Sequence, residues 1–159
     1  MNFTLCINRL LQNEGDLSDN KNDPGKLTRW GISQRSYPTL DIRNLTKESA
    51  IAIYKRDFWD LIDLDEAPLG ISNQLLDFAV NSGVQTALRA LQRAVGVADD
   101  GIIGQHTKDA IAKMQDHDIV MRLIAERLIF MTNCQGWLTF GKGWARRIAS
   151  ELRFGAEDD

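Results

Sequence analysis

The sequence EGDLSDNKNDPGKLTRWGIS, residues 14–33, separates a short amphipathic segment from the rest of the chain. It is dense in Gly, Asp, Asn, Pro and Lys and has no apolar face at helical spacing, so it predicts a long loop or a short irregular hairpin. Loops of this length in a compact domain are usually functional. We therefore expect a short irregular or β-like lobe here, after the first helix, and part of a functional site within it.

On both sides of this stretch, apolar residues recur at helical spacing. Residues 2–13 form one amphipathic helix, and Thr46 is the predicted N-cap of the next. The remaining predicted helices cover residues 71–82, 86–95, 107–114 and 118–133, with a short one near 143–153. Gly101 and Gly104 predict turns between helices, and Thr107 is placed near an N-cap. The fold class that follows is mainly α.

Length and composition restrict the class of protein further. No repeat or linker divides the 159 residues, so we expect one domain, with a loop-bearing half at 1–70 and a helical half at 71–155. The net charge of -3, from 19 basic and 22 acidic residues, argues against nucleic acid as a partner. No apolar stretch approaches the roughly 18 residues that cross a bilayer. Cys6 and Cys134 follow no metal-ligand spacing and are expected to be reduced thiols.

Two carboxylates of the quoted stretch are predicted to occupy contrasting environments. Glu14 ends an apolar helix, where burial raises the pKa of a carboxyl group, whereas Asp23 lies in a polar Asp-Pro-Gly turn that keeps it ionised. Thr28 follows with a hydroxyl able to hold a water molecule. Cleavage of a glycosidic bond requires one carboxylic acid and one carboxylate of this kind. Taken alone, however, such a pattern is more often a solvated surface.

Three motifs follow one another in this stretch: Glu14-Gly15, Asp23-Pro24-Gly25 and Thr28-Arg29-Trp30-Gly31-Ile32-Ser33. Together they resemble the signature of the glycoside hydrolase family 108 N-acetylmuramidases, the lysozyme-like enzymes of many phage endolysins. The resemblance continues to the end of the chain, through residues 54–60, 77–83, 87, 91–92, 95–97, 100–104, 107, 140, 143–144 and 147. Asp16 and Lys26 depart from it, because the family usually has glycine there, and they change the expected backbone path of the loop.

The resemblance implies a lysozyme-like fold and hydrolysis of the β-1,4 bond between N-acetylmuramic acid and N-acetylglucosamine in peptidoglycan. Glu14 corresponds to the family's catalytic acid. Asp23 and Thr28 fall where lysozyme-like phage enzymes place the second carboxylate and the water-binding hydroxyl. Residues 71–155 are similar to a predicted peptidoglycan-binding half. No cofactor or metal is implied, and the expected partner is the glycan strand of peptidoglycan.

Two chemical routes are compatible with these residues. Carboxyl groups about 6.5–9.5 Å apart leave room for a water and lead to inversion, whereas about 5–5.5 Å leads to a covalent intermediate. A threonine hydroxyl near the gap favours the water route, so we expect inversion. The alternatives are a lytic transglycosylase that uses Glu14 as acid and base, and a non-catalytic wall-binding module. The joint presence of Glu14, Asp23 and Thr28 argues against the module.

Four further residues are candidates for binding substrate, each beside a purely structural interpretation. Trp30 either lines the glycan cleft or packs beneath it. Tyr54 either stacks on sugar rings or belongs to the core, as aromatic residues at helical spacing usually do. Asp77 and Asn81 lie one helical turn apart, as buried caps or as cleft residues that bind N-acetyl groups. The family resemblance favours the cleft for Asn81.

The basic C-terminal segment with Arg146, Arg147 and Arg153 is either a solvated helix face or a weak contact with the cell wall or membrane. We expect a monomer. The N-terminus lacks the basic and apolar regions of a secretory signal. The resulting expectation is an endolysin that accumulates in the host cytoplasm and reaches the periplasm or cell wall through a separate pore.

Overall fold

The computed structural model describes residues 2–13, 17–19 and 27–158 of the chain. They divide into two compact units, an N-terminal unit, Met1–Asp65, and a C-terminal unit, Glu66–Asp159. The sequence-based expectation of one domain, with one half at residues 1–70 and the other at 71–155, stays a prediction. Helices predominate among the described residues, so the predicted mainly α class is confirmed. None of the described helices is long and apolar enough to span a bilayer.

The N-terminal unit begins with helix α1, Asn2–Asn13, which has the bounds predicted from the sequence. Its apolar face is buried, and the ring of Phe3 meets Trp59 edge-on, with ring centroids 5.1 Å apart. The predicted irregular lobe contains a small antiparallel sheet in the order β1-β2-β3. Its strands are β1, Leu17–Asp19, β2, Leu27–Arg29, and β3, Ile32–Ser33.

A second helical segment completes this unit. Helix α2, Lys47–Tyr54, begins at the predicted N-cap Thr46, whose hydroxyl accepts a hydrogen bond from the Ser49 backbone N–H at 3.2 Å. The helix continues through a π-helical turn, Lys55–Trp59, into the single turn α3, Asp60–Ile62. Turns of π-helix are rare and often occur at functional sites. This one directly follows Tyr54, the last residue of α2.

The C-terminal unit consists of helices joined by short connections. They are α4, Leu69–Ser82, α5, Val84–Ala94, α6, Gln105–Ala112, α7, Asp116–Thr132, and α8, Trp137–Glu157. Each of the first four begins two residues before its predicted start. The prediction for α8 is wrong, since a short helix near 143–153 is in fact 21 residues long. Gly141 and Gly143 weaken the helical pattern, but Gly141 is buried under the Trp137 ring, where an added Cβ would lie 3.0 Å from it.

The connection between α5 and α6 corrects two smaller predictions. Gly101 has φ +80, as a turn glycine should, but Gly104 is extended, with φ -85 and ψ -177. Gly104, rather than a side chain near Thr107, is the N-cap of α6. Thr107 lies inside that helix, buried, and its hydroxyl accepts a hydrogen bond from the Gln92 side-chain amide at 3.3 Å.

Candidate active site

Glu14 and Asp23, the two predicted carboxylates, lie outside the described residues. The described part of the N-terminal unit contains the third predicted catalytic residue, Thr28, half-buried on the central strand β2. In the strand register, Thr28 is opposite Ser18 of β1 and Ser33 of β3. In sequence, Glu14 directly follows α1, and Asp23 falls between β1 and β2.

The turn between β2 and β3 has an unfavourable backbone conformation. Arg29 pairs with Ile32, which leaves Trp30 and Gly31 as a two-residue loop. Both are left-handed, with φ +52 at Trp30 and φ +77 at Gly31. Two-residue hairpin loops require this conformation and usually have Asn or Gly at the first position. A left-handed residue with a Cβ costs about 1–2 kcal/mol, so Trp30 must be held there by its surroundings.

Two hydrogen bonds hold Trp30 in this conformation. The Tyr54 hydroxyl donates to the Trp30 carbonyl oxygen at 2.9 Å, and the Trp30 indole N–H donates to the Leu45 carbonyl at 3.2 Å. The Tyr54 side chain comes from the last position of α2 and is 1% exposed. Its ring presents no face to a sugar, which argues against the predicted contact with substrate. Trp30 is half-buried, which is compatible with both of its predicted roles, lining the glycan cleft and packing beneath it.

The residues after the hairpin are fixed to the same helical segment. The Gln34 backbone N–H donates to the Leu27 carbonyl at 2.8 Å, extending the hairpin by one hydrogen bond. Further on, the Tyr37 hydroxyl donates to a carboxylate oxygen of Asp57, in the π-helical turn, at 2.8 Å. Burial and the hydrogen bond to Asp57 raise the pKa of Tyr37 to about 12. Tyr54, directly before the π-helical turn, thus binds the hairpin, and Asp57, within that turn, binds the loop that follows the hairpin.

In the C-terminal unit, Asp77 lies at the centre of a buried charged cluster. It is 3% exposed and contacts arginines from two other helices. Its Oδ2 lies 2.6 Å from Nη2 of Arg127 on α7, and its Oδ1 lies 2.6 Å from Nη2 of Arg147 on α8. Arg147 Nε also donates to both oxygens, at 3.1 and 3.0 Å. The arginine contacts therefore join α4, α7 and α8 through one carboxylate.

A second carboxyl group, Glu151 of α8, belongs to the same cluster. Its Oε2 accepts hydrogen bonds from the side-chain amides of Asn73 at 2.8 Å and Gln74 at 3.0 Å. Burial and the nearby negative charge of Asp77 raise the pKa of Glu151 to about 8. At Asp77 burial acts in the same direction, but the positive charges of Arg127 and Arg147 outweigh it and lower the pKa of Asp77. The two carboxyl groups therefore differ in protonation at neutral pH.

This geometry argues against Asp77 as a substrate-binding residue, because its oxygens are engaged with arginines inside the core. Arg127 and Glu151 were not singled out from the sequence. Arg127 could have been found, since it lies at helical spacing from Leu123 and Met131 on the apolar face of α7 and is 1% exposed. Its guanidinium also lies 5.1 Å from the ring centroid of Phe78, a cation–π contact.

Asn81 lies one turn beyond Asp77 on α4 and is exposed. Its side-chain N–H donates to the Asp77 backbone carbonyl at 2.7 Å. Among the described residues its amide oxygen has no hydrogen-bond partner, so a ligand can reach it. The structure therefore separates the two members of the predicted pair, one in the core and one at the surface.

A mainly helical chain with a small antiparallel sheet after its first helix is the architecture of lysozyme-like glycoside hydrolases, the class that the fold defines. Residues 7–83 match the sequence profile described as glycosyl hydrolase 108. A solved structure, that of SagA from Brucella abortus, matches with a TM-score of 0.90 and 31% identity, over 98% of this chain and 94% of that chain. No curated protein sequence matches the chain.

The chain belongs to the glycosyl hydrolase 108 family. It is therefore a glycoside hydrolase, and the predicted lysozyme-like fold is confirmed. Membership also supports, as a general activity, the hydrolysis of peptidoglycan by a muramidase. The bond cleaved, the residues that cleave it, and the peptidoglycan-binding role of residues 71–155 stay predictions.

Proposed function

We propose that this chain hydrolyses the β-1,4 bond between N-acetylmuramic acid and N-acetylglucosamine of peptidoglycan by a single displacement. Glu14 protonates the glycosidic oxygen, and Asp23 and Thr28 position the attacking water on the opposite face of the sugar. The observation that supports this most directly is the placement of Thr28 on the central strand of a sheet whose adjacent turn is strained and held by hydrogen bonds. A water held by Thr28 needs such a fixed backbone.

The assignment of Glu14 as acid has support from the end of α1. Glu14 follows Asn13, the last residue of that helix. The C-terminal end of a helix carries a partial negative charge, which disfavours a second negative charge nearby. A general acid for a glycosidic oxygen must remain protonated near neutral pH. We therefore assign to Glu14 the proton donated to the leaving sugar.

The assignment of Thr28 follows from its strand. On β2 successive side chains alternate between the two faces of the sheet, so Thr28 projects to the face opposite Leu27 and Arg29. A hydroxyl both donates and accepts a hydrogen bond, so it can orient a water while Asp23 accepts that water's proton. Attack by this water releases the reducing sugar with inverted configuration at the anomeric carbon.

The experiment that tests the proposal measures muropeptides released from purified peptidoglycan by the wild type, Glu14→Gln, Asp23→Asn and Thr28→Val. Each substitution nearly preserves the size of the side chain, and valine suits a strand. We expect Glu14→Gln to lose at least about a thousandfold in kcat and Thr28→Val about tenfold to a hundredfold, within the usual range for acid–base catalysis. Wild-type activity in Glu14→Gln would remove that residue from the mechanism.

Product analysis distinguishes the proposal from its chemical rivals. Early NMR spectra should show the inverted anomer, and mass spectra should show a hydrated reducing end. Retained configuration contradicts the single displacement, and 1,6-anhydro products identify a lytic transglycosylase. Binding to peptidoglycan with no released fragment, by the wild type and by Glu14→Gln alike, would identify a wall-binding module instead.

A further inference from the structure

We propose that the exposed sides of α7 and α8 together form a docking surface for an anionic lipid bilayer. Docking of this kind goes beyond hydrolysis of the glycan and uses none of the residues assigned to that chemistry. The surface has apolar side chains in its middle and cations beside them. Its large apolar members are Met121, Leu128 and Ile129 of α7 and Leu138 and Leu152 of α8.

Helices α7 and α8 lie side by side and antiparallel. Gly155, near the end of α8, packs on Val120, near the start of α7, where an added Cβ would lie 2.9 Å from Val120 Cγ1. About two turns further along α7 and back along α8, Arg127 and Arg147 bind the same carboxylate of Asp77, at 2.6 Å each. The exposed sides of the two helices are therefore neighbours along most of their length.

The apolar part of this surface consists of side chains that the fold leaves uncovered. All five are exposed, and Leu138 is 97% exposed, so it makes almost no contact with the rest of the protein. Leu138, Ala145 and Leu152 recur every seventh residue and so share one side of α8, and Met121 and Leu128 share one side of α7 in the same way. The uncovered apolar side chains thus form two stripes on adjacent helices.

Four cations accompany the apolar stripes. Lys142, Arg146 and Arg153 recur along one side of α8, and Arg122 occupies the exposed side of α7. None of the four makes an ion pair with another residue that the structure describes. Arg93, in contrast, is paired with two carboxylates, at 2.8 and 2.7 Å. The charge of this surface is therefore left for a partner outside the described residues.

The structure divides the arginines of the basic C-terminal segment. Arg147 turns into the core, where Asp77 binds it, so it takes no part in the surface. Arg146 and Arg153 remain on the exposed side of α8. Of the two interpretations of this segment, contact with a partner therefore concerns Arg146 and Arg153, beside an apolar stripe that a solvated helix face does not need.

An anionic bilayer complements both parts of the surface. Apolar side chains insert at the boundary between headgroups and acyl chains, and Lys and Arg bind the lipid phosphates. The nearest acids, Asp118 and Glu157, stand together at one edge, because α7 begins where α8 ends. A symmetric contact between two copies would instead place one cation-bearing surface against another. The charge pattern therefore favours the bilayer over a second copy.

The test is sedimentation of the full chain with vesicles of phosphatidylglycerol and phosphatidylethanolamine, and with vesicles of phosphatidylcholine alone. The wild type should bind the first, less so at high salt, and not the second. A cation near an anionic bilayer contributes about fivefold in affinity, so Arg146→Gln with Arg153→Gln should weaken binding about 25-fold. Leu138→Ser should weaken it about tenfold, through the lost insertion of an apolar side chain.

Matched controls carry the same chemical changes elsewhere in the unit. Lys108→Gln with Lys113→Gln removes two exposed cations in and after α6, and Ile102→Ser removes an exposed apolar side chain before that helix. Both should bind anionic vesicles as the wild type does. Because all the changed side chains are exposed, each variant should keep the melting temperature of the wild type. Kinetics on purified peptidoglycan, which contains no lipid, should also be unchanged in every variant.

The proposal is overturned if the wild type does not sediment with anionic vesicles, or if the surface variants sediment as it does. Weaker binding of these variants to purified peptidoglycan would assign the surface to the wall instead. A dimer in analytical ultracentrifugation that Leu138→Ser abolishes would assign it to a second copy. Failure of the proposed function is distinguishable, since a wild type that releases no muropeptides refutes hydrolysis and leaves the vesicle measurements decisive.

Discussion

Each unit contains a group of polar side chains that fixes nearby structure, but the two groups use different interactions. In the N-terminal unit, neutral hydrogen bonds from Tyr54 and Trp30 hold a strained turn. In the C-terminal unit, the carboxylate of Asp77 holds Arg127 and Arg147 through ion pairs. The first arrangement fixes a short piece of backbone next to a proposed catalytic residue. The second fixes three helices to one another in the core.

The difference shows what each kind of interaction can do near a reaction. A buried charge attracts strongly but shifts the pKa of every titratable neighbour, as Asp77 does to Glu151. A neutral hydroxyl that donates a hydrogen bond to a carbonyl positions the backbone without adding a net charge that would shift the pKa of neighbouring groups. A site whose chemistry depends on the protonation of two carboxyl groups is better served by the neutral arrangement.

The largest effect is expected from Asp77→Asn. The substitution removes the carboxylate that Arg127 and Arg147 pair with, and breaking a buried ion pair in this way typically costs about 3–5 kcal/mol of folding free energy. Urea denaturation at pH 7, on the variant and the wild type, measures it. Because the Asp77 carboxylate contacts arginines rather than substrate, kcat of the protein that remains folded should be unchanged. A large fall in kcat with intact stability would instead give Asp77 the catalytic-site role that its burial argues against.

Asp99→Asn is the control for this prediction. Asp99 pairs with Arg93 at 2.8 Å, but both side chains are substantially exposed. Exposed ion pairs contribute little to stability because water and salt screen them. The variant should unfold at the urea concentration of the wild type, so a loss as large as that of Asp77→Asn would contradict the importance of burial.

The next effect depends on pH. Glu151 has a pKa of about 8 in the folded protein against 4.5 for an ordinary glutamate, so the folded state retains a proton that the unfolded chain has lost. Stability should therefore fall as pH rises between 5 and 8, by on the order of 3 kcal/mol. Glu151→Gln cannot ionise and should lack this part of the dependence. Parallel stability curves for both proteins across that range would contradict the raised pKa.

A smaller stability effect, joined to an effect on catalysis, is expected from Tyr54→Phe. The change removes one hydroxyl and leaves the Trp30 carbonyl without that donor, at a cost of about 1–2 kcal/mol. Because the turn borders the strand of Thr28, kcat should fall about tenfold while KM changes little. We regard Tyr54 as a positioning residue, since it touches the turn rather than the substrate.

Tyr37→Phe provides the matched control. It removes a hydroxyl that donates to a carboxylate oxygen of Asp57, within the π-helical turn, at 2.8 Å. The chemical change is the same, but the Trp30 turn and β2 keep their contacts. Stability should fall by a similar amount and kcat should remain that of the wild type. If both variants lower kcat equally, the effect of Tyr54 is general loosening of the unit rather than positioning.

The features predicted from the sequence are those that depend on local spacing. The amphipathic pattern of residues 2–13 gave helix α1 its correct bounds, and Thr46 caps α2 as expected. Gly141 weakens the helical pattern of α8 in the sequence, because a glycine that admits a ring looks in sequence like one that breaks a helix. Spacing alone cannot distinguish these two uses, since the ring that occupies the gap is fixed by tertiary contacts.

The candidate site was predicted less completely, for a similar reason. Thr28 and Asn81 are accessible enough for the roles proposed, but the hydrogen bond between Tyr54 and Trp30 joins residues 24 positions apart. The ion pair of Arg127 is equally hidden in the sequence, since its partner Asp77 lies on a different helix. Buried polar residues acquire their function from such partners, and a sequence shows the residue without the partner. Glu14 and Asp23, predicted from their motifs, lie outside the described residues.

The smallest stability effect, and the sharpest test of the comparison, is expected from Trp30→Asn. Asparagine adopts the left-handed conformation readily, so the strain at φ +52 is relieved while the indole hydrogen bond to Leu45 is lost. These changes oppose one another, and the net change in folding free energy should stay within about 1 kcal/mol. If the indole serves only to hold the turn, asparagine should keep kcat and KM near wild type, because the backbone keeps its shape. If Trp30 also meets the glycan, KM should rise severalfold with no loss of stability. Steady-state kinetics with a urea titration separate these results, and a large loss of stability would show that packing of the indole outweighs the strain of its backbone.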